Sequence, residues 1–389
     1  MEETTNILKL KKIIRACLLS LPMGLLTLVM ITRLDFSDMD LNLAKFFVYI
    51  LVNSLFFLMI YTGKVDRYRS ILFVTATVAF SVSFIWNLFL LRGNFMVLTD
   101  EDIASCVVPF CHIGIPQTLV TAVFKQEFSF PGTFSGFMYT IPIMFTIWLS
   151  VTLVLGRGWC SWVCFYGGWE DGCSRILKKP AFKFAPGKLL LLPFAVLLAA
   201  VLLSAATLSP QYCWWLCPFK SVSEFPEPSS LVRIIQMLIM IILFIGLVIV
   251  MPLLTKRRMQ CALLCPFGAM QSLTNKISPF ELRIDRQKCI NCGQCIRGCP
   301  VFALDETALE KGAPALTCLK CGKCVDHCRQ NAIQYHIKGT KVNLNKGFAK
   351  GVFLYVAGIF LAAMGGGFMI DALYKIILAI KSLVVGCLN

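Results

Sequence analysis

Charge is scarce in this chain. Only 15% of its 389 residues are Asp, Glu, Lys or Arg, against 57% hydrophobic residues and a mean hydropathy of +0.74. Soluble domains carry about a quarter charged residues, so a wholly water-soluble fold is excluded. Strand-rich patterning, a Rossmann fingerprint and a phosphate-binding loop are all missing, which removes the nucleotide chemistry those patterns serve. There is no C-x-x-C-H run and no flavin-attachment signature, so covalent haem of that type is excluded as well. Acidic residues are few, 21 against 37 Lys and Arg, for a formal net charge of +16. That excess is no nucleic-acid footprint, because it concentrates in short loops beside apolar stretches.

Those apolar stretches dominate the chain. Crossing about 30 Å of hydrocarbon takes about 20 apolar residues, and 13–32, 43–62, 71–91, 136–155, 189–208, 231–254 and 349–370 qualify. The tail 372–388 is interrupted by Lys375 and Lys381 and reads as an interfacial helix or a short eighth span. Lys9, Lys11, Lys12 and Arg15 precede the first stretch, and no small-residue cleavage site follows it, so it reads as an uncleaved span. Basic loops (63–70, 156–188, 255–258) alternate with loops carrying Asp35, Asp38 and Asp40, then Asp100, Glu101 and Asp102, then Glu224 and Glu227. The positive-inside rule then predicts a multi-pass protein of the bacterial cytoplasmic (inner) membrane, with its N-terminus in the cytoplasm.

Cysteine, by contrast, is abundant, with 19 residues. Two runs share the spacing C-x2-C-x2-C-x3-C: Cys289-Ile-Asn-Cys292-Gly-Gln-Cys295-Ile-Arg-Gly-Cys299-Pro300 and Cys318-Leu-Lys-Cys321-Gly-Lys-Cys324-Val-Asp-His-Cys328. This is the bacterial ferredoxin spacing, in which the fourth cysteine of each run serves the other cluster. It assigns Cys289, Cys292, Cys295 and Cys328 to one [4Fe–4S] cluster and Cys318, Cys321, Cys324 and Cys299 to a second. Zinc fits two interleaved quartets poorly, and disulfides do not suit a cytoplasmic segment. Arg329 stands after Cys328 where the pattern often has proline.

The fold class that follows is a polytopic α-helical membrane protein of about seven spans with a small cytoplasmic two-cluster ferredoxin-like α+β module. Its expected divisions are a six-span membrane domain at 1–275, the module at 276–346 and a C-terminal hydrophobic segment at 347–389. Within the module, Gly312-Ala-Pro314 links the two halves.

The membrane part carries further cysteine pairs: Cys160-Ser-Trp-Val-Cys164-Phe165, Cys213-Trp-Trp-Leu-Cys217-Pro218 and Cys261-Ala-Leu-Leu-Cys265-Pro266, with Cys106 and Cys111 one residue wider and followed by His112. A C-x3-C spacing on a helix places both sulfurs on one face, a turn apart. By topology Cys160, Cys164, Cys261 and Cys265 belong to the cytoplasmic ends of spans, and Cys106, Cys111, Cys213 and Cys217 to the opposite side. One iron–sulfur cluster at each membrane face is therefore expected, cubane or [2Fe–2S]. Disulfides are the alternative for the outer four, and buried free thiols for the inner four. Cys173 is a reserve ligand, while Cys17 and Cys387 read as small hydrophobes. His112 reads as a hydrogen-bonding neighbour. His327 and His336 read as groups that tune solvent access and potential. Trp159, Trp162, Trp214 and Trp215 suit either a shield for clusters or an interfacial belt.

With Gly156-Arg-Gly-Trp-Cys160-Ser-Trp-Val-Cys164, the later Cys-x3-Cys-Pro motifs and the paired ferredoxin runs, the chain resembles the NapH/NosR/CcoG-type membrane polyferredoxins over about residues 136–336. The resemblance implies a polytopic protein passing electrons between the membrane or cytoplasm and an outer acceptor. Two departures are visible: Phe165 in place of a proline, and the Cys106/Cys111 pair, which the family does not supply. No large flavin-binding domain precedes the spans, unlike in a full nitrous-oxide regulator.

The expected function is transmembrane electron transfer. A cytoplasmic ferredoxin or flavoprotein loads the module, and an extracytoplasmic redox protein or a quinone accepts. Lys288, Arg297, Lys320, Lys323 and Arg329 near the clusters favour reduction and an acidic donor. Alternatives are a quinol/quinone oxidoreductase subunit of a respiratory chain, for which Trp86, Asn87 and Gln236 are polar or amphipathic groups within spans, and a redox-sensing or metal-centre assembly factor.

Overall fold

The computed structural model describes residues 2–31, 38–92, 96–98, 101, 111–126, 141–340 and 347–388. Among these, seven helices are long and apolar enough to cross a membrane. In hydrocarbon a backbone must satisfy its own hydrogen bonds, so uninterrupted apolar runs close into helices. The first three are α1 (Glu2–Ile31), α2 (Met39–Thr62) and α3 (Val65–Arg92). Asp38 caps α2 by accepting from the Asp40 and Leu41 N–H groups, and Gly63, at φ 75°, closes it in the left-handed region.

The cap of α3 comes from far away in sequence. Asp326, inside the second ferredoxin run, accepts from the N–H groups of Val65 (3.0 Å) and Asp66 (2.7 Å). Removing an N-cap carboxylate costs about 1 kcal/mol. Asp326→Ala is therefore expected to accelerate hydrogen exchange at the Val65 and Asp66 amides and to loosen the module on α3. Unchanged exchange there would show that the contact holds nothing.

The remaining helices follow in order: α4 (Ile115–Lys125), α5 (Ile141–Leu155), α6 (Phe165–Ile176), α7 (Leu192–Thr207), α8 (Leu231–Thr255), α9 (Pro266–Thr274) and α10 (Phe348–Leu388). Helix α8 carries a π-helical stretch, Phe244–Val250. Helix α10 packs across α2 and α3. Its Gly365 lies where a Cβ would come within 2.9 Å of Ala76, and Gly358 sits against Phe56 and Met23. The tail is not a separate interfacial or eighth segment. It continues the seventh span as one helix of 41 residues, with Lys375 bonded to Asp371 and Asn87, and Lys381 to Asp40. The lysines read as interruptions find carboxylates on this helix and on its neighbour.

Four shorter pieces turn back on themselves and pack into the bundle beside these long helices. Arg69, near the start of α3, donates to the Ser161 carbonyl (2.7 Å), while Thr77 donates to the Phe165 carbonyl (2.9 Å). Arg69 and Thr77 are separated by about 12 Å at 1.5 Å of rise per residue, so the segment Ser161–Phe165 runs along α3 over that length. Helix α6 then climbs back, and Arg175 reaches Asp66 (2.7 Å). Met259–Leu263 and α9 repeat this pattern. Phe165 does not disturb the turn: Cys164 precedes α6 at φ −70°, ψ 104°, and Cys265 precedes α9 at φ −76°, ψ 112°. The extended residue before the helix, rather than proline itself, makes the bend.

His112–α4 and Gln211–Ser223 pack into the bundle together: α4 lies on α7, and Gln117 of α4 accepts from the Tyr212 N–H (2.9 Å). The chain also forms a short parallel pair, β1 (Met96–Leu98) with β2 (Glu224–Pro226). The module is built on the antiparallel pair β3 (Phe280–Ile284) and β4 (Ile333–Ile337), registered Phe280 to Ile337 and Ile284 to Ile333. Phe280 and Tyr335 from its buried face pack on Phe353 of α10.

Candidate metal centres

Two cysteine-lined cavities lie in the module. One of about 240 Å³ is lined by Cys289, Cys292, Cys295 and Cys328. The other, about 20 Å³, is lined by Cys299, Cys318, Cys321 and Cys324, with Leu282 and Leu319 beside them. Gly293 (φ 67°) and Gly322 (φ 84°) take the left-handed conformation that turns each run into its short helix. Backbone N–H groups point at sulfur: Ala303 to Cys299 (3.2 Å), Ala332 to Cys328 (3.3 Å) and Lys320 to Cys318 (3.5 Å). The first two are equivalent, so Arg329 replaces Pro300 without changing this contact. The Cys299 cavity is mostly buried, whereas Cys292 is exposed.

In the membrane part Cys160, Cys164, Cys261 and Cys265 are all buried. Arg258 donates to the Cys160 carbonyl (2.7 Å) and the Cys261 sulfur (3.3 Å), and the Gly268 N–H points at Cys265 Sγ (3.3 Å). Glu170 accepts from the Gln260 N–H (2.7 Å) and from the Cys261 N–H. Burial pushes the Cys265 thiol up to about 12, and neighbouring Cys160 adds to the shift. For Cys164, burial again leads, with Cys160 and Cys265 contributing. Thiols so placed ionise when a metal takes the proton's place.

These residues suit an anionic iron–sulfur group. Among the described residues, Arg258 Nε and Nη1, Arg157 Nε and Trp159 Nε1 are buried donors without a hydrogen-bond partner, and thiolates with bridging sulfur would answer them. No three His, Cys, Asp or Glu side chains among the described residues converge closely enough for a single metal ion. A cubane places each thiolate on a different iron and keeps the sulfurs farther apart.

The third set is Cys111, Cys213 and Cys217; Cys106 lies outside the described residues. The three line a cavity of about 70 Å³ with His112, Tyr166 and Phe219. Gln117 donates to Cys213 Sγ (3.3 Å). Burial pushes the Cys217 thiol well up, with Cys213 and Cys111 next in effect. Cys217 is a free thiol, so no disulfide joins it to Cys213.

The two membrane sets are not held apart at separate faces. His112 Nε2 lies 3.2 Å from Cys164 Sγ, and Gln260, which precedes Cys261, donates to the hydroxyl of Tyr212, which precedes Cys213 (2.9 Å). Cys111 Sγ lies 3.7 Å from the Tyr166 hydroxyl. The loops that carry them meet inside the bundle, which loop charge had no means of revealing.

The module is gripped by the same loops. Ser161 donates to the Leu319 carbonyl (2.7 Å), Arg157 to that of Thr317 (3.0 Å), Asn275 to that of Cys318 (2.9 Å), and the Arg258 N–H to that of Pro300 (2.7 Å). Lys320 reaches Ser278 (2.7 Å) and the Leu155 carbonyl. Lys320 is therefore a buried strut rather than a surface charge for an acidic donor.

Other sequence expectations fare variously. Arg157 and Arg258, counted with the loop charges, are fully buried, as are Trp159 and Trp162, which form core rather than an interfacial belt. Trp215 and Trp86 are exposed. Asn87 accepts from Lys375 (2.7 Å), and Gln236 is buried. Cys173 is half-buried on α6 and lines none of the three cavities. Cys17 is exposed, and the side chain of Cys387 lies outside the described residues. His327 bonds the Lys323 carbonyl, and His336 is buried 3.4 Å from Glu281. Glu170, Tyr166 and Tyr212 carry no signal in the sequence beyond nearness to a cysteine pair.

Comparison with known proteins finds iron–sulfur families in both parts of the chain. A family described as "4Fe-4S dicluster domain" matches residues 281–329, spanning both ferredoxin runs. A "4Fe-4S binding domain" family matches three times, at 137–181, 189–232 and 236–285, and each match contains one C-x3-C pair. A protein of Escherichia coli (strain K12) named "Putative electron transport protein YccM" is 25% identical over 176 residues, 41% of this chain and 45% of that protein. An uncharacterized protein of Methanocaldococcus jannaschii is 39% identical over 41 residues, 10% of this chain and 17% of its own length. The chain thus spans less than half the length of each of these relatives. No solved structure matches it. Iron–sulfur families matched in both the membrane part and the module, with a relative named as an electron transport protein, support a membrane-type polyferredoxin.

Proposed function

We propose that this protein carries electrons across the bacterial cytoplasmic membrane, between a cytoplasmic ferredoxin or flavoprotein and an acceptor on the other side. The observation that carries the reading is the adjacency of successive cysteine sets from the module surface into the bundle. Iron–sulfur clusters, when bound, accept and release single electrons. Cys289, Cys292, Cys295 and Cys328 would hold the first, and their cavity includes the exposed Cys292. Cys299, Cys318, Cys321 and Cys324 would hold the second, with the Cys318 loop bonded to Ser161 and Arg157 through its carbonyls. Cys160, Cys164, Cys261 and Cys265 would hold a third, shielded from water by Trp159, Trp162 and Phe267. Cys111, Cys213 and Cys217, together with Cys106, would hold a fourth nearest the outer end. The positive-inside bias of the loops supports a cytoplasmic module.

A second reading, exchange with a membrane quinone, is favoured by one feature. The cavity beside Cys111, Cys213 and Cys217 is walled by Phe80, Phe84, Phe165, Phe219, Met144 and Met364. Vesicles containing the purified protein separate the two. A reduced donor inside should reduce a membrane-impermeant acceptor outside without added quinone. Strict quinone dependence would favour the second reading, and negligible turnover in both conditions would reject both.

A further inference from the structure

The two membrane cysteine sets meet at one side chain. His112 follows Cys111 directly, and its Nε2 lies 3.2 Å from Cys164 Sγ. Its ring is buried and fixed by aromatic neighbours, with centroids at 5.6 Å to Trp159, 5.5 Å to Tyr166 and 4.9 Å to Phe267. Each of those neighbours flanks Cys160 or follows Cys164 or Cys265 by two residues. The backbone holds the imidazole in place as well: the Gly114 N–H bonds the Cys111 carbonyl (2.8 Å), closing a tight turn before α4. A sulfur acceptor at this distance calls for a donor on Nε2.

We propose that His112 is the positioning residue that couples the two sets: its Nε2–H donates to Cys164 Sγ while its peptide runs straight into Cys111. This rests on the conduit reading above. Two consequences follow from the chemistry. A hydrogen bond to a ligand sulfur stabilises the reduced, more negative state, so it raises the potential of the centre on Cys164. The same bond supplies a path of one hydrogen bond and a few covalent bonds from Cys164 to Cys111. One electron leaves one set, oxidising it, and enters the other, reducing it. No covalent bond is made or broken, and the imidazole keeps its proton.

The full-length protein with its clusters tests this through His112→Phe, which keeps the ring packing without the donor, and His112→Gln, which restores an N–H. A neutral hydrogen bond is worth about 1 kcal/mol, or about a fivefold shift in how electrons distribute between two centres. In an EPR-monitored redox titration, His112→Phe should lower the midpoint of one membrane centre, so that its reduced-to-oxidised ratio at a fixed potential falls about fivefold, leave the module signals in place and keep iron per chain unchanged. His112→Gln should recover part of the shift. Pulsed EPR on wild-type protein labelled with ¹⁵N-histidine should show weak nitrogen coupling, which tests the contact even if a variant does not accumulate. Unchanged potentials in His112→Phe would overturn the proposal, as would strong coupling with iron loss, the signature of a direct ligand. If the wild-type protein shows signals from the module alone, the conduit reading itself fails; if it shows membrane centres indifferent to His112, only this proposal does.

Discussion

Replacing Cys213 and Cys217 together by alanine is expected to reduce vectorial electron transfer in vesicles to background while leaving the module's EPR signals intact. These two are buried beside Cys111 and are two of the three cysteines that line their cavity. Alanine at both positions leaves too few thiolates for an iron–sulfur cluster of either common type. The iron count decides what was there: a loss of about four atoms per chain indicates a cubane and about two a [2Fe–2S] centre. The module should be indifferent, because its contacts run to the Cys160 and Cys261 loops. Unchanged iron would mean that no cluster sits on these cysteines, and the path would then end at the set of Cys160, Cys164, Cys261 and Cys265.

The second large effect concerns packing. Gly168 lies on α6 where a Cβ would come within 1.8 Å of Thr77 Oγ1 and 2.7 Å of Thr77 Cβ. Gly168→Ala must push α6 off α3. That breaks the Thr77 bond to the Phe165 carbonyl and shifts the Asp171 and Arg175 partners of Arg69 and Asp66. Overpacking of this kind costs about 3 kcal/mol, and here the displaced turn carries Cys164. A clear fall in thermal stability in detergent and a loss of iron from the membrane part are the expected outcomes. Thr77→Ala in the same chain should recover part of the stability, since it removes the closest clashing atom. A wild-type melting temperature for Gly168→Ala would show that α6 adapts without strain.

Much of this was legible in advance because the signals are local. The paired ferredoxin runs announce themselves by spacing, since a chain wrapped around a cubane has few ways to place three thiolates. The spans announce themselves by length and hydropathy; the structure shifts the ends of the first six by at most about seven residues and carries the seventh on to Val384. Phe165 looked like a break in a Cys-Pro motif, yet the bend survives because Cys164 itself is extended. Arg157 and Arg258 looked like loop charge for the opposite reason. In sequence a buried arginine beside a cysteine pair and an exposed one at a membrane surface are the same letters. Only carbonyls and sulfurs from distant segments, those of Thr317, Cys160 and Cys261, distinguish them.

Composition and spacing alone therefore determined a chain of seven long apolar helices with a two-run cysteine module and further cysteine pairs, because each rests on a short-range rule of length or ligand placement. The depth of those pairs was decided by tertiary structure. Thr77 with Phe165, Tyr212 with Gln260 and His112 with Cys164 are contacts between segments far apart in the chain. They form only when separate loops fold back into the bundle, which links two cysteine sets expected at opposite faces through His112 and through Gln260 with Tyr212.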